Sequence, residues 1–259
     1  MDYIDIDRLN SDLLSFKEKF QNQQPFNFLF LNNFFKQEMA ELLLEQYPSI
    51  DQGDWKGITY MNQKNKFELS DFHSLPIFQS VFDELNSQEF IEWLQKLTGI
   101  AEPLLGDKSL FGSGLHQSVD GAFLNVHVDY NIHPVSQLHR RLNVLIYLNK
   151  NWKDPYGGNI EFWDFVDNKK KRIASFQPSF NTCVIFETNE ISYHGHPKPL
   201  SLPKGMSRKS ISCYYYTHDR PQSEKTDEHN TIFRNTEGLS GKIKVFKAGI
   251  KALFERLSS

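Results

Sequence analysis

Short apolar runs at nearly regular intervals constrain the fold of this chain more than any other feature of its sequence. Between residues 109 and 218 these runs are rich in β-branched and aromatic residues, and turn-like segments such as DPYGG and PSFN separate them. Regular short strands with such turns are typical of closed or double-sheet β architectures, for example a jelly roll or a cupin-like barrel. The predicted strands are GAFLNVHVD, RLNVLIYLN, GNIEFWDF, RIASFQP, TCVIFET and KSISCYYYT.

The residues on either side of this region have mostly helical patterns. Apolar spacing predicts helices from Ile4 to about Phe20, in KQEMAELLLEQY, in one or two segments of 76–98 and after Gly241, whereas PFNFLFLNNFF predicts a strand. We therefore expect a mainly β protein with flanking helices, of the α+β class, in a single domain over residues 1–259. Its parts are an N-terminal helical support region (1–108), a β core (109–218) and a C-terminal loop and helix (219–259).

The expected C-terminal helix, GKIKVFKAGIKALFERLSS, has its apolar residues at helical spacing and most of its Lys and Arg residues off that apolar stripe. Such a helix suits either packing of the stripe on the barrel or binding to an anionic membrane surface. We favour packing on the barrel.

Composition and charge exclude several classes of protein. The 259 residues have a net charge of −3, and the sequence pI is about 6.3, so we expect no nucleic-acid partner. No run approaches the roughly 18 apolar residues of a transmembrane segment, and the acidic N-terminus lacks a signal-peptide pattern. The two cysteines, Cys183 and Cys213, lie in strand-like runs and are interpreted as buried thiols, which favours a reducing, cytoplasmic location.

The stretch NVHVDY (125–130) places His127 and Asp129 two residues apart in a predicted strand. Residues i and i+2 of a strand point to the same side, and a buried carboxylate is unfavourable unless it is paired or bound to a metal. A further imidazole is expected at the end of the loop that follows the apolar run CVIFE, at His194, with His196 as the alternative. Two imidazoles and one carboxylate that leave open metal positions are diagnostic of non-haem Fe(II) oxygenases.

Arg208 and Ser210 begin the last predicted strand and also face the same way. A guanidinium binds a carboxylate through two parallel hydrogen bonds and keeps its charge. The pair is therefore a plausible anchor for the far carboxylate of 2-oxoglutarate.

Together, HVD, SYHGHPKPL, Arg208-Lys209-Ser210 and the intervening RRLNVLIYLNKNW and YGGNIEFWD resemble the Fe(II)- and 2-oxoglutarate-dependent dioxygenase superfamily, and within it the prolyl 4-hydroxylase-like branch. The resemblance covers about residues 109–218 and implies a double-stranded β-helix. It implies that His127, Asp129 and His194 bind Fe(II), and that Arg208, with Ser210 as a further candidate, binds the co-substrate 2-oxoglutarate. The Gly157-Gly158 pair matches the glycine turn before the next barrel strand, and its expected role is structural.

The activity implied by this resemblance is hydroxylation of a C–H bond by dioxygen with release of succinate and CO₂; whether ascorbate is a further cofactor is left open. The substrate is either a prolyl or other protein residue or a small molecule or glycan- or lipid-linked metabolite. Segment 130–141 and the residues after 217 are expected to shape that choice. The alternatives are a cupin-like metal-binding isomerase and a non-catalytic sugar-binding module.

Other polar residues receive weaker expectations. His133 and His139 are expected to be solvated or to line the substrate rim. Arg140 and Arg141 are expected to be surface charges, with contact to an anionic substrate as the alternative, and KKKR (169–172) is expected to be a solvated turn. Several strand residues remain candidates for the cavity lining, with an ordinary strand position as the alternative for each; they are Asn125, Asn143, Tyr147, Glu161 and Trp163.

Overall fold

The structure is a computed structural model that describes the backbone of residues 1–166 and 169–257, and the side chains of these ranges up to residue 249. The helices are α1 (Ile6–Ser11), α2 (Leu13–Gln21), α3 (Gln37–Glu45), α4 (Pro76–Leu85), α5 (Gln88–Thr98) and α6 (Gly238–Leu257). The strands are β1 (Phe28–Asn32), β2 (Lys56–Tyr60), β3 (Gln63–Leu69), β4 (Leu105–Gly106), β5 (Gly114–Val128), β6 (His139–Tyr147), β7 (Ile160–Val166), β8 (Lys169–Phe176), β9 (Thr182–Glu187), β10 (Tyr193–His196), β11 (Arg208–Thr217) and β12 (Ile232–Phe233).

The strands form one antiparallel sheet in the order β1-β9-β6-β11-β5-β10-β7-β8. The long strand β5 connects the two halves of this sheet. Its first half pairs with β11 through Leu115–Ser118, and its second half pairs with β10 through His127. A nearly closed barrel results, in which the start of β11 and the end of β5 border the same interior.

Alternation along the central strands separates an apolar face from a polar face. On β6, Leu142, Val144 and Ile146 pack into the main hydrophobic core together with the helices, whereas Asn143 and Tyr147 face the barrel interior. On β11, Ile211 and Cys213 join the same core, and the side chains on the other face point inward. The main hydrophobic core therefore lies outside the barrel, under the helices, and the polar faces line a cavity. A smaller apolar cluster that includes Tyr147, Ile160 and Phe162 borders this cavity.

The helices begin and end at residues that the sequence makes favourable. Helix α5 has Ser87 as its N-cap, whose hydroxyl accepts a hydrogen bond from the Phe90 amide, and it ends at Gly99 in the left-handed region. Its apolar face is buried against α2. The helices predicted before residue 109 and the six strands predicted after it are all present.

Four features differ from the sequence-based expectations. The β2–β3 hairpin was not predicted, and its strands pair with β5. His194 lies on the short strand β10 and not in a loop. The KKKR segment belongs to strand β8, where its side chains are exposed, while the turn expected at 167–168 lies outside the described residues.

The fourth difference concerns helix α6. Its Lys244 lies over the Phe123 ring and its Gly249 lies against Met61 of the β2–β3 hairpin, whereas the large apolar residues Ile243 and Phe246 are exposed. The expectation that the apolar stripe of this helix covers the barrel was therefore wrong for the described part of the stripe. The two cysteines, in contrast, are fully buried free thiols, as expected.

Candidate active site

The polar faces of β5, β6, β10 and β11 enclose a cavity of about 190 Å³. The β2–β3 hairpin closes one side through Tyr60 and Lys66, and Phe233 of β12 borders the opening. All five residues that the sequence singled out for metal or co-substrate binding line this cavity: His127, Asp129, His194, Arg208 and Ser210.

At one end of the cavity, His127 and His194 lie directly opposite each other on the antiparallel pair β5–β10, with their ring centres 4.4 Å apart. Asp129 follows the end of β5. Its Oδ1 lies 3.5 Å from His127 Nε2, and its Oδ2 lies 3.5 Å from His194 Nε2. The three donor atoms lie within 4.8 Å of one another. Ligands bound at about 2.1 Å and about 90° apart are separated by about 3 Å, so this spacing suits one shared transition-metal ion.

Backbone contacts fix which nitrogen of each imidazole faces the metal position. His127 Nδ1 is 2.8 Å from the carbonyl oxygen of Asn125, and His194 Nδ1 is 2.9 Å from that of Ser192. A proton on Nδ1 satisfies each carbonyl and leaves the Nε2 lone pair free, which is the tautomer a metal ligand requires. Burial lowers the pKa of His194 to about 4, so this imidazole is neutral at pH 7.

Asp129 is held by Arg140 and Asn143, its neighbours on β6. Asn143 Nδ2 donates to Asp129 Oδ2 at 2.8 Å, and Arg140 Nη2 lies 3.3 Å from the same oxygen. Arg140 also donates to Asn143 Oδ1 through Nε and Nη2, and its guanidinium stacks on the Tyr214 ring at 3.6 Å. Burial by itself would raise the pKa of Asp129, but Arg140 and the two histidines hold it well below its usual value, so the carboxylate is ionised.

The expectation of solvated charges at Arg140 and Arg141 was therefore wrong. Arg140 is only 2% exposed, and Arg141 is also buried, where it pairs with Glu102 and Glu224. Both belong to β6, and the pairing of that strand between β9 and β11 places its first residues inside the sheet. The carboxylates that neutralise Arg141 come from distant parts of the chain, and Asp129, which neutralises Arg140, follows the end of β5. The periodicity of β6 alone therefore does not predict that these arginines are buried.

A glycine between the two histidines of β10 allows the strand to approach β5. A Cβ on Gly195 would lie 2.9 Å from the carbonyl oxygens of Leu124 and Asn125, which is closer than side chains approach backbone. His196 also lines the cavity, but it does not belong to the cluster of metal-ligand atoms found in the described residues. The geometry therefore favours His194 over His196 as the third ligand.

Arg208 lies at the other end of the cavity, and it is buried. Its Nε donates to the Gly158 carbonyl oxygen at 2.8 Å, and its Nη2 donates to the Tyr147 hydroxyl at 3.3 Å. Among the described residues no carboxylate lies within ion-pair distance of this guanidinium. A buried cation without a counter-ion is unfavourable, so the cavity is suited to receive an anionic ligand there.

The glycine turn before β7 forms the support for this arginine. Gly158 has a φ of +74°, and a Cβ on it would lie 2.6 Å from Leu200 Cδ2 and 3.0 Å from Arg208 Cδ. Only glycine fits both the backbone conformation and the space beside the arginine. The expected structural role of this turn is therefore to leave room for the Arg208 side chain.

The remaining polar residues divide between the cavity and its surroundings. Asn143 and Tyr147 line the cavity, whereas Asn125 lies outside the lining and donates to Asn62 Oδ1 at 3.0 Å. Glu161 and Trp163 do not line it either; they bond to each other, and Ile160 of the same strand faces inward instead.

The two histidines of segment 130–141 differ in burial. His133 is buried, and its Nδ1 accepts hydrogen bonds from the amides of Val135 and Ser136, so the expectation of a solvated His133 was wrong. His139 is partly exposed and lies 3.7 Å from Asp219. Neither histidine lines the cavity.

Sequence reasoning also missed cavity residues contributed by the first half of β5 and by the β2–β3 hairpin. His116 is buried with its Nδ1 3.1 Å from the Ser212 hydroxyl, while Lys66 pairs with Glu68 at 2.6 Å. Burial lowers the pKa of His116 to about 3. The alternation of residues in LHQS indicates that His116 and Leu115 face opposite sides of a strand. The sequence does not show which side faces the cavity, because that depends on the pairing of β5 with β11.

Three comparisons with known proteins agree with this arrangement. The family model for the 2OG-Fe(II) oxygenase superfamily matches residues 113–216. A curated mouse protein, prolyl 3-hydroxylase OGFOD1, is 27% identical over 140 residues, which are 53% of this chain and 23% of that relative. The chain therefore spans about a quarter of the length of the curated relative it matches.

Solved structures of low sequence identity share the fold. Prolyl 4-hydroxylase from Phytophthora capsici superposes with a TM-score of 0.60 at 18% identity, covering 93% of this chain and 76% of that one. A prolyl hydroxylase from Trichoplax adhaerens, solved with a peptide fragment of the hypoxia inducible factor oxygen degradation domain, gives 0.59 at 17% identity, covering 81% and 92%. The predicted double-stranded β-helix is confirmed.

Proposed function

We propose that the protein is an iron(II)- and 2-oxoglutarate-dependent dioxygenase of the 2OG-Fe(II) oxygenase superfamily, whose family model matches residues 113–216. In this proposal it hydroxylates a C–H bond of its substrate and releases succinate and CO₂. The observation that carries the proposal is that one cavity holds both the cluster of His127, Asp129 and His194 and the guanidinium of Arg208, which has no carboxylate within ion-pair distance among the described residues.

In this proposal His127, Asp129 and His194 hold the iron. Their donor set is two imidazole nitrogens and one ionised carboxylate, which is the set found in non-haem Fe(II) oxygenases. When bound, the iron supplies the oxidising chemistry toward dioxygen, 2-oxoglutarate and the substrate C–H bond. Asn143 and Arg140 both contact Oδ2 of Asp129 and so orient the carboxylate toward the metal position.

Arg208 anchors the far carboxylate of 2-oxoglutarate in this proposal. Because Gly158 occupies its Nε, the guanidinium offers its terminal nitrogens to a ligand in the cavity, with the Tyr147 hydroxyl beside them. Ser210 lines the cavity on the same face of β11 and adds a further donor. Tyr60 and Phe233 also line the cavity, with their ring centres 6.3 Å apart.

Two substrate classes remain in the proposal. The first is a prolyl or other residue of a protein, and the names of the mouse relative and of the solved prolyl hydroxylases support it. The second is a small molecule or a glycan- or lipid-linked metabolite, since the rim of the site and not the barrel determines the substrate.

Unpaired, buried Cys183 and Cys213 support a reducing, cytoplasmic location. In the described part of the chain no helix is long and apolar enough to span a membrane.

The proposal is tested by succinate release from 2-oxoglutarate when protein loaded anaerobically with Fe(II) is exposed to air, with and without ascorbate. We expect slow turnover that is lost in His127→Ala. In Arg208→Ala the KM for 2-oxoglutarate should rise at least about tenfold, because a charge-assisted hydrogen bond contributes about 1.5–3 kcal/mol. Arg172→Ala, which removes a half-exposed guanidinium from β8, is the matched control and should leave the KM unchanged.

Calorimetry of 2-oxoglutarate binding with Mn(II) in place of Fe(II) separates the alternatives. Binding that requires Arg208 and the metal supports the oxygenase even if turnover awaits the substrate. If neither metal-dependent binding nor succinate release is observed, the sugar-binding module or cupin-like isomerase replaces the oxygenase. Hydroxylation of proline-containing peptides, detected by mass spectrometry, then separates the two substrate classes.

A further inference from the structure

Helix α6 packs on the barrel through its small residues. Gly241 and Ala248 are buried, and a Cβ on Gly249 would lie 2.9 Å from Met61 Cγ of the β2–β3 hairpin. Lys244 is on the same side, where its ammonium pairs with Glu237, donates to the Pro197 carbonyl oxygen and lies 4.4 Å from the centre of the Phe123 ring. These contacts fix which face of the helix is turned outward.

The outward face carries large apolar side chains. Leu239 is 74% exposed, Ile243 is 48% exposed and Phe246 is 69% exposed, and these residues are spaced i, i+4 and i+7 along one stripe. In the sequence the same spacing continues at Ile250, Leu253 and Leu257. Isolated exposed apolar residues are ordinary, but a continuous stripe on one helix marks an interaction surface.

Positive charge flanks this stripe. On a helix of 3.6 residues per turn, Lys242 falls on one side of the stripe and Lys247 on the other, and both are exposed. The segment 238–257 contains five Lys or Arg residues and a single Glu, although the whole chain has a net charge of −3. The charge on this helix therefore opposes that of the protein and complements an anionic surface.

We propose that the outward face of α6 is a docking surface for an anionic lipid bilayer. The apolar stripe inserts at the headgroup boundary, and the lysines on both sides contact the lipid phosphates and carboxylates. This property lies beyond the proposed oxygenase activity. Because α6 contacts the β2–β3 hairpin, which borders the cavity, docking places the barrel close to the lipid surface.

Two other occupants fit the geometry less well. A second copy of the chain would bring the Lys242 and Lys247 rows of two helices together, and like charges in an interface are unfavourable. A protein groove that encloses an amphipathic helix needs most of the helix circumference. The other side of α6 is already held against the barrel by Lys244 and Gly249. A flat anionic surface requires only the face that is free.

The test is co-sedimentation of the full chain with vesicles. Binding is measured on phosphatidylcholine alone and on equal parts of phosphatidylcholine and phosphatidylserine, at low and high salt. We expect binding only to the anionic vesicles, weakened by salt. It should fall at least about tenfold both in Phe246→Ser and in the double variant Lys242→Glu, Lys247→Glu. Leu14→Ser, which removes an exposed leucine from α2, is the matched control and should bind like the wild type.

Several results would overturn the proposal. Wild-type protein that stays in the supernatant with both kinds of vesicle excludes a lipid surface, and equal binding of Phe246→Ser and wild type excludes this helix face. Concentration-dependent dimerisation in analytical ultracentrifugation that Phe246→Ser abolishes would assign the face to a second copy. Unchanged thermal unfolding of each variant excludes misfolding as the cause. None of these measurements requires metal or 2-oxoglutarate, so failure here is independent of the proposed activity.

Discussion

The pairing of Arg140 with Asp129 leads to a prediction about stability in the absence of metal. Among the described residues, Arg140 is the only Lys or Arg within ion-pair distance of Asp129. Arg140→Met keeps most of the side-chain volume but leaves a nearly buried carboxylate without its cation. Breaking a buried pair from one side costs about 3–5 kcal/mol. Because Asn143 still donates to Asp129 and the carboxylate is 12% exposed, we expect about 3 kcal/mol.

The dependence of this loss on pH has a definite sign. In the wild type the pKa of Asp129 lies well below its usual value, so its contribution to stability is present above about pH 4 and is lost as the pH falls through the folded-state pKa. Without Arg140 the folded-state pKa rises. The variant should therefore be most destabilised at pH 7, and the difference from the wild type should shrink toward pH 4.

The assay is urea unfolding of metal-free protein at pH 7 and at pH 5, followed by tryptophan fluorescence. Asp129→Asn and the double variant complete a double-mutant cycle, which isolates the interaction of the two side chains. We expect the double variant to be more stable than the sum of the single losses predicts, because it leaves no uncompensated charge. An unfolding free energy of Arg140→Met within about 0.5 kcal/mol of the wild type, or strict additivity in the cycle, would refute the reasoning.

Three further predictions concern the rest of the cavity. Gly158→Ala should raise the KM for 2-oxoglutarate about tenfold without weakening metal binding, because the added Cβ displaces Arg208. The control Gly205→Ala, which has a similar positive φ but open space around it, should leave the KM unchanged. Equal KM values in the two variants would contradict the prediction. Mn(II) at about a hundred times its Kd should stabilise the protein by about 2.7 kcal/mol, measured as a rise in Tm. EDTA should reverse this rise and His194→Ala should abolish it. A rise in Tm that persists in His194→Ala would place the metal elsewhere. Burial lowers the pKa of His116 to about 3 in the folded protein, so between about pH 3 and 6.5 the unfolded chain binds more protons at this residue than the folded chain does. The free energy of unfolding should therefore increase with pH in that window by up to about 1.4 kcal/mol per pH unit. His116→Asn should remove this slope in urea titrations, and an unchanged slope would exclude His116 as its cause.

The sequence by itself determined the architecture and the candidate residues of the site. Alternating apolar residues in runs such as RLNVLIYLN specify strands whose two faces differ, and this local pattern does not depend on which strands become neighbours. His127 and Asp129 face the same way because they lie two residues apart, and Arg208 and Ser210 do so for the same reason. The family model for the 2OG-Fe(II) oxygenase superfamily matches residues 113–216, the part of the chain in which these motifs lie.

Only the tertiary structure decided which charges are buried and which apolar residues are exposed. Arg140 and Arg141 resemble surface charges in the sequence because the carboxylates that neutralise them lie on other elements or at a strand end whose position depends on sheet pairing. Helix α6 has an apolar stripe that suggests core packing, yet it contacts the barrel through the opposite side, where Gly249 lies against Met61 and Lys244 lies over the Phe123 ring. Periodicity fixes which residues share a face, but the partner of that face is set by contacts between distant segments, which one sequence does not encode locally.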